Sequence, residues 1–186
     1  RYTIKMIDTH AHLYSSDLDI STLVENAKLA GLKHIVNVGI DIQTSLKSLE
    51  FSKQFDMIVP TIGIHPGYTE DENRLSELKA LAKKHPFKAI GEIGLDYFKM
   101  YTDKDTQKRV FIAQLEIASE LNLPIIIHNR HAEDDMIAIL KDFSKLKKEF
   151  HCFGSGLDFI EKIDSDSTFY SFTGNITYSK KGKTIN

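Results

Sequence analysis

Cysteine is nearly absent: Cys152 is the only one in 186 residues. A disulfide framework is therefore excluded, and a reducing compartment is expected. No apolar run approaches the roughly 20 residues that a membrane-spanning helix needs. No signal-peptide pattern opens the chain, so a cytoplasmic location without membrane contact is the expectation. Charge of one sign is not in surplus either. Lys and Arg number 24 against 26 Asp and Glu, a formal net charge of −2. Nothing global marks a nucleic-acid binder, although a local grip on phosphates stays open. Low-complexity tracts and linkers are missing too. With 41% hydrophobic residues the chain can build one substantial core, so a single domain over residues 1–186 is expected.

Histidine, by contrast, is plentiful, with eight residues, several beside apolar strand-like runs. The stretch Met6-Ile7-Asp8-Thr9-His10-Ala11-His12-Leu13 holds two of them, one residue apart. Strand side chains alternate faces, so His10 and His12 can present their rings to one point. Imidazole pairs suit Zn, Mn, Fe or Co. Taken alone, the pair reads equally well as two exposed histidines at a strand end, and further ligands must come from elsewhere.

The hydrophobic pattern alternates strands and helices. Strands are expected at residues 4–7, 34–39, 57–64, 88–94, 124–128, 150–153 and 168–174. Helices are expected between them: from Thr22, with Glu25 as a capping box, to Gly31, then at 44–55, 70–85, 105–121, 133–146 and 157–163. Several strands are apolar on both faces, which argues for a parallel sheet covered by helices. Seven such units in a row favour a TIM-type (β/α) barrel over a doubly wound sheet. Barrels of this type close with eight strands and take about 250 residues. The expectation is therefore a barrel lacking strand eight and the last helices in this chain.

On this reading the ligand-type residues sit at the C-terminal ends of strands. His10 and His12 follow the first strand, His65 follows the third, Glu92 sits near the end of the fourth, His128 ends the fifth, and His151 lies in the sixth. In a parallel barrel these ends share one face. Convergence of so many donors makes a metal site the expected reading. His34 opens a strand and His85 closes a helix, so both are left out. His131 is expected at a helix start.

The combination of stretches resembles the TatD family of metal-dependent deoxyribonucleases, within the amidohydrolase-like barrel superfamily. The matching segments are Ile7 to Leu13, Val36-Asn37-Val38-Gly39, Gly63-Ile64-His65-Pro66, Ile90-Gly91-Glu92-Ile93-Gly94-Leu95-Asp96-Tyr97, Leu123 to Arg130, and His151-Cys152-Phe153. The resemblance implies His10, His12, Glu92, His128 and His151 as metal ligands, with Glu92 bridging two divalent ions (Zn, Mg or Mn). It places His65 on the substrate side and allows Arg130 a phosphate contact, with a structural ion pair as the rival. Two departures are visible. Gly154-Ser155-Gly156 stands where the family has Ser-Gly-Ser. The family's Thr-Asp-Ser-Pro stretch, whose aspartate binds metal and accepts the water's proton, has no counterpart. Asp164 and Asp166 precede the seventh strand, on the opposite face, and are not accepted as replacements.

The implied chemistry is metal-assisted phosphodiester hydrolysis. The implied substrate is DNA, trimmed from a 3′ end and single-stranded, by a monomeric enzyme. Tyr97 or Phe98 could stack a base, or simply pack their loop. Two alternatives stay open: a hydrolase of small-molecule amides or esters, and a non-catalytic member lacking the strand-eight aspartate.

Overall fold

The computed structural model of the chain describes residues 6–163 and 166–177. Ile4 and Lys5, at the start of the expected first strand, and Asp164 and Ser165 lie outside the described residues.

Strands and helices alternate throughout. They are β1 (Met6–Ala11), α1 (Ile20–Leu29), β2 (Leu32–Asn37), α2 (Ile42–Gln54), β3 (Ile58–Pro60), α3 (Leu75–Lys84) and β4 (Ile90–Asp96). They continue as α4 (Lys104–Leu121), β5 (Ile125–Arg130), α5 (Glu133–Leu140), β6 (Lys148–Phe150), α6 (Leu157–Ile163) and β7 (Thr168–Tyr170). All pairings are parallel and follow chain order, in one sheet β1-β2-β3 and another β4-β5-β6-β7. An isolated parallel bridge between Ile62 and Ile90 joins the two. Parallel neighbours require crossover connections, and each helix here supplies one. The wall curls: Thr9 Oγ1 on β1 donates to Glu149 Oε1 on β6 at 2.7 Å. The result is an α/β partial TIM-type barrel.

Burial follows from this plan. Every residue of β4 is buried, as expected of a strand with helices outside and the barrel lining inside. The main apolar cluster packs Leu78, Val110, Phe111, Leu115, Met136 and Phe159 from the helices against Ile90, Ile93, Ile125 and Ile127. A smaller cluster holds Val24, Ala27 and Phe51 against Ile35 and Ile58. Each buried Leu or Ile contributes about 1.5–3 kcal/mol relative to exposure.

Several boundaries differ from the sequence expectation. Helix α1 is capped by Asp19, whose carboxylate accepts from Thr22 N–H at 3.0 Å, so Thr22 is inside the helix rather than its cap. Asp is a better N-cap than Thr. The capping box belongs instead to α2, between Asp41 and Thr44. The expected helix over 70–85 is a 3-10 segment, Pro66–Arg74, followed by α3. Apolar periodicity begins only at Leu75, and the polar run before it has no face to bury. The helix from Glu133 tightens into a 3-10 turn, Lys141–Phe143, instead of running to Leu146. The ladder of β6 ends at Phe150, so His151 follows the strand rather than lying in it. Cys152 adopts φ +48°, which no strand continues through.

Candidate metal centre

Glu92 is the centre of the mouth. It lies on β4 and is only 3% exposed. Both carboxylate oxygens are addressed by imidazoles. On one side, His10 Nε2 is 3.3 Å and His12 Nε2 is 3.7 Å from Oε2. On the other, His128 Nδ1 is 2.9 Å, His151 Nε2 is 3.1 Å and His65 Nε2 is 3.6 Å from Oε1. The strand ends β1, β3, β4, β5 and β6 thus deliver six side chains to one point. Burial opposes ionisation of Glu92. The hydrogen bonds from His10, His128 and His151 outweigh it and hold the carboxyl well below its usual range.

Outer contacts orient the rings of His12, His128 and His65. His12 Nδ1 lies 3.0 Å from the Val38 carbonyl and 2.7 Å from the Tyr14 hydroxyl oxygen. Its proton is therefore on Nδ1 and the lone pair on Nε2. His128 sits between two carboxylates, Nδ1 2.9 Å from Glu92 Oε1 and Nε2 3.2 Å from Asp96 Oδ2; burial lowers its pKa, but the hydrogen bonds to Glu92 and Asp96 outweigh burial and raise it. With a cation in place of the Nδ1 proton, Asp96 would hold the proton on Nε2. His65 is wired the other way. Gly67 N–H donates to its Nδ1 at 2.9 Å, so the neutral ring carries its proton on Nε2. Burial first of all lowers the His65 pKa to about 4, so the ring is neutral near pH 7. His65 is thus a donor into the mouth rather than a lone pair, although its position alone would suit a ligand group with Glu92 and His128.

The donor set fits divalent cations. His12 turns a lone pair toward a carboxylate, an arrangement that is repulsive unless a proton or cation lies between. Protonating every ring would crowd positive charges, and burial already lowers the pKa of His12. His10 and His151 stack at 3.6 Å, and their buried Nδ1 atoms have no hydrogen-bond partner among the described residues. Their Nε2 atoms belong, with Glu92, to one compact ligand group. One carboxylate with imidazoles beside both oxygens offers divalent cations a mixed nitrogen and oxygen donor set.

The backbone makes this approach close. Gly94 has φ +141°, and a Cβ there would stand 2.0 Å from the His128 carbonyl oxygen. Only glycine lets β4 and β5 meet at that register.

The remaining expected residues sit around the rim. Arg130 is exposed, with its guanidinium carbon 4.0 Å above the Phe98 ring. No carboxylate among the described residues pairs with it, so the structural ion pair is not formed there. Phe98 is half exposed, whereas Tyr97 is tied down by its hydroxyl donating to Asp135 at 2.6 Å. His131 lies edge-on to Phe98 at 5.3 Å, and Ala132 takes the N-cap place of α5 that was expected for it. Asp166 precedes β7, at the end of the strand away from the mouth; Asp164 lies outside the described residues. Two cavities of about 470 and 510 Å³ adjoin at His128 and His151. One reaches Arg130 and Ser155, the other Tyr68 and Tyr101.

Two functional candidates escape the sequence reading. Asp96 carried a signal: Glu92, Gly94 and Asp96 share one face by the period of two. Tyr14 carried none, because its reach to His12 depends on the turn after β1.

Comparison with known proteins places the chain in a family. Residues 7–186 match the family model described as TatD related DNase. The metal-dependent hydrolase YabD of Bacillus subtilis is 37% identical over 97% of this chain and 74% of its own length. A protein of Erwinia tasmaniensis named 3′-5′ ssDNA/RNA exonuclease TatD is 30% identical over 97% of this chain and 72% of its own. Among solved structures, a hydrolase TatD family protein from Entamoeba histolytica superposes with a TM-score of 0.83 at 26% identity. That match covers 92% of this chain and 65% of the other.

Proposed function

The chain belongs to the TatD-related DNase family of metal-dependent hydrolases, and from that premise we propose that it hydrolyses phosphodiester bonds of DNA, removing nucleotides from the 3′ end of single strands. The observation that carries this is Glu92, buried and flanked on both oxygens by inward-facing imidazoles. His10, His12 and Glu92 would hold one divalent ion, and Glu92, His128 and His151 a second. When bound, such ions lower the pKa of water and neutralise charge on the phosphodiester oxygens.

The chain's own groups do the rest. Glu92 stays ionised and fixes the spacing of the two ligand sets. Asp96 and Tyr14, with the Val38 carbonyl, hold the tautomers of His128 and His12. His65 offers its Nε2–H to a substrate oxygen. Arg130 supplies a guanidinium fork for a neighbouring phosphate. Because Arg130 already covers the Phe98 face, the pair acts through the cation, with the ring as its support.

The adjoining cavities favour an extended substrate over a compact one, which sets this reading above a small-molecule amide or ester hydrolase. The ligand set from one chain supports action as a monomer, and the single cysteine supports a cytoplasmic setting. The test is a single-stranded oligonucleotide labelled at its 5′ end. With Mn, Mg or Zn a ladder shortening from the 3′ end is expected, abolished by chelator and by Glu92→Gln. An intact oligonucleotide under all three metals, with turnover of a carboxylic ester instead, would refute the reading.

A further inference from the structure

The far end of the barrel carries a second concentration of charge. Lys148 opens β6, roughly 10 Å along the strand from His151. Glu149 points into the barrel, where it accepts from Thr9. Lys148 and Phe150 therefore point outward, beneath the helices, and Phe150 packs edge-on against Phe159 of α6 at 5.3 Å. Lys148 is 3% exposed. Lysines normally carry the ammonium out to water, and buried ones are normally paired.

This one is not. Among the described residues its Nζ makes one long hydrogen bond, 3.4 Å to the Ser144 carbonyl. No carboxylate among the described residues lies within ion-pair distance of it. The side chain lines a cavity of about 220 Å³ together with Lys141, Ser144 and Lys162, with Ile137, Leu140 and Ile163 as apolar lining. Three lysines thus face one small space, and among the described residues no acidic one lines it. An ammonium withdrawn from water without a counter-ion is unfavourable by several kcal/mol unless an anion reaches it.

We propose that this cavity is an anion site, separate from the metal centre, that takes one phosphate group with Lys148 as its inner cation and Lys141 and Lys162 at its rim. The space suits a single tetrahedral oxyanion, as free phosphate or as the terminal group of a nucleoside monophosphate. A chain that trims nucleotides from DNA would itself release the nucleoside monophosphate.

The experiment is calorimetric titration of inorganic phosphate, and separately of deoxyadenosine 5′-monophosphate, into the chelator-treated full chain at an ionic strength fixed with chloride. Wild-type protein binds phosphate. Lys148→Met, which keeps the volume and removes the charge, weakens binding at least tenfold. Glu92→Gln leaves it unchanged, which separates this site from the metal centre. Tighter binding of the nucleotide than of phosphate identifies the nucleotide as the source; equal or weaker binding identifies free phosphate. If Lys148→Met fails to fold, Lys141→Gln combined with Lys162→Gln should weaken binding several-fold, and more so at low salt. No binding by the wild type, unchanged affinity in the lysine variants, or loss in Glu92→Gln overturns the proposal.

Discussion

At the scale of single residues, the metal centre depends on which nitrogens of His12, His65 and His128 face Glu92. Asp96 settles this for His128, so Asp96→Ala should weaken metal binding 10- to 100-fold, the usual effect of removing a ligand's outer partner. Metal titration reads it, and a change below threefold would contradict the assignment. His65 supplies a pH test. Its folded pKa of about 4 lies below the 6.5 of the unfolded chain. In that window the unfolded state binds more protons, so stability is complete above about 6.5 and is lost as pH falls toward 4. The loss is at most about 3 kcal/mol. Urea melts of chelated protein at pH 7.5 and 5 should show a larger drop for wild type than for His65→Gln, and equal drops would count against it. Residue identity was largely legible in the sequence: His10, His12, Glu92, His128 and His151 all lie together. Tautomer was not, because it depends on Gly67, Val38 and Asp96, which reach the rings only after folding.

At the scale of elements, β4 and its register with β5 matter most. Gly94→Ala forces a Cβ against the His128 carbonyl and an unfavourable φ. A loss of more than about 2 kcal/mol is expected, with metal affinity falling as His128 shifts. Asp103→Ala provides the contrast. Asp103 caps α4 by accepting from Thr106 N–H at 2.9 Å, far from the histidines. Its loss should remove about 1 kcal/mol without touching metal affinity. Denaturant melts alongside metal titrations distinguish the two. Element type was legible from periodicity; boundaries were not always. Asp19 displaced Thr22 as a cap because the competing carboxylate lay three residues upstream. The polar segment after His65 tightened into 3-10 turns because no apolar face drew it into α3. Cys152 ended β6 early through a left-handed backbone that its side chain does not announce.

At the scale of the molecule, the order of parallel strands does the functional work. Donors at or beyond the ends of β1, β3, β5 and β6, with another on β4, reach one point only because every strand runs the same way. The alternation of apolar runs made that architecture readable before any contact was known. The curl that brings β1 against β6 was not readable in the same way, since it rests on contacts such as Thr9 with Glu149. The central claim is that this convergence holds divalent ions on both oxygens of Glu92. Calorimetric titration of the chelated chain with Mn or Zn tests it most directly. Two ions per chain are predicted for the wild type, with both lost or severely weakened in Glu92→Gln. A wild type that binds none, or a Glu92→Gln variant that binds both unchanged, would contradict the account.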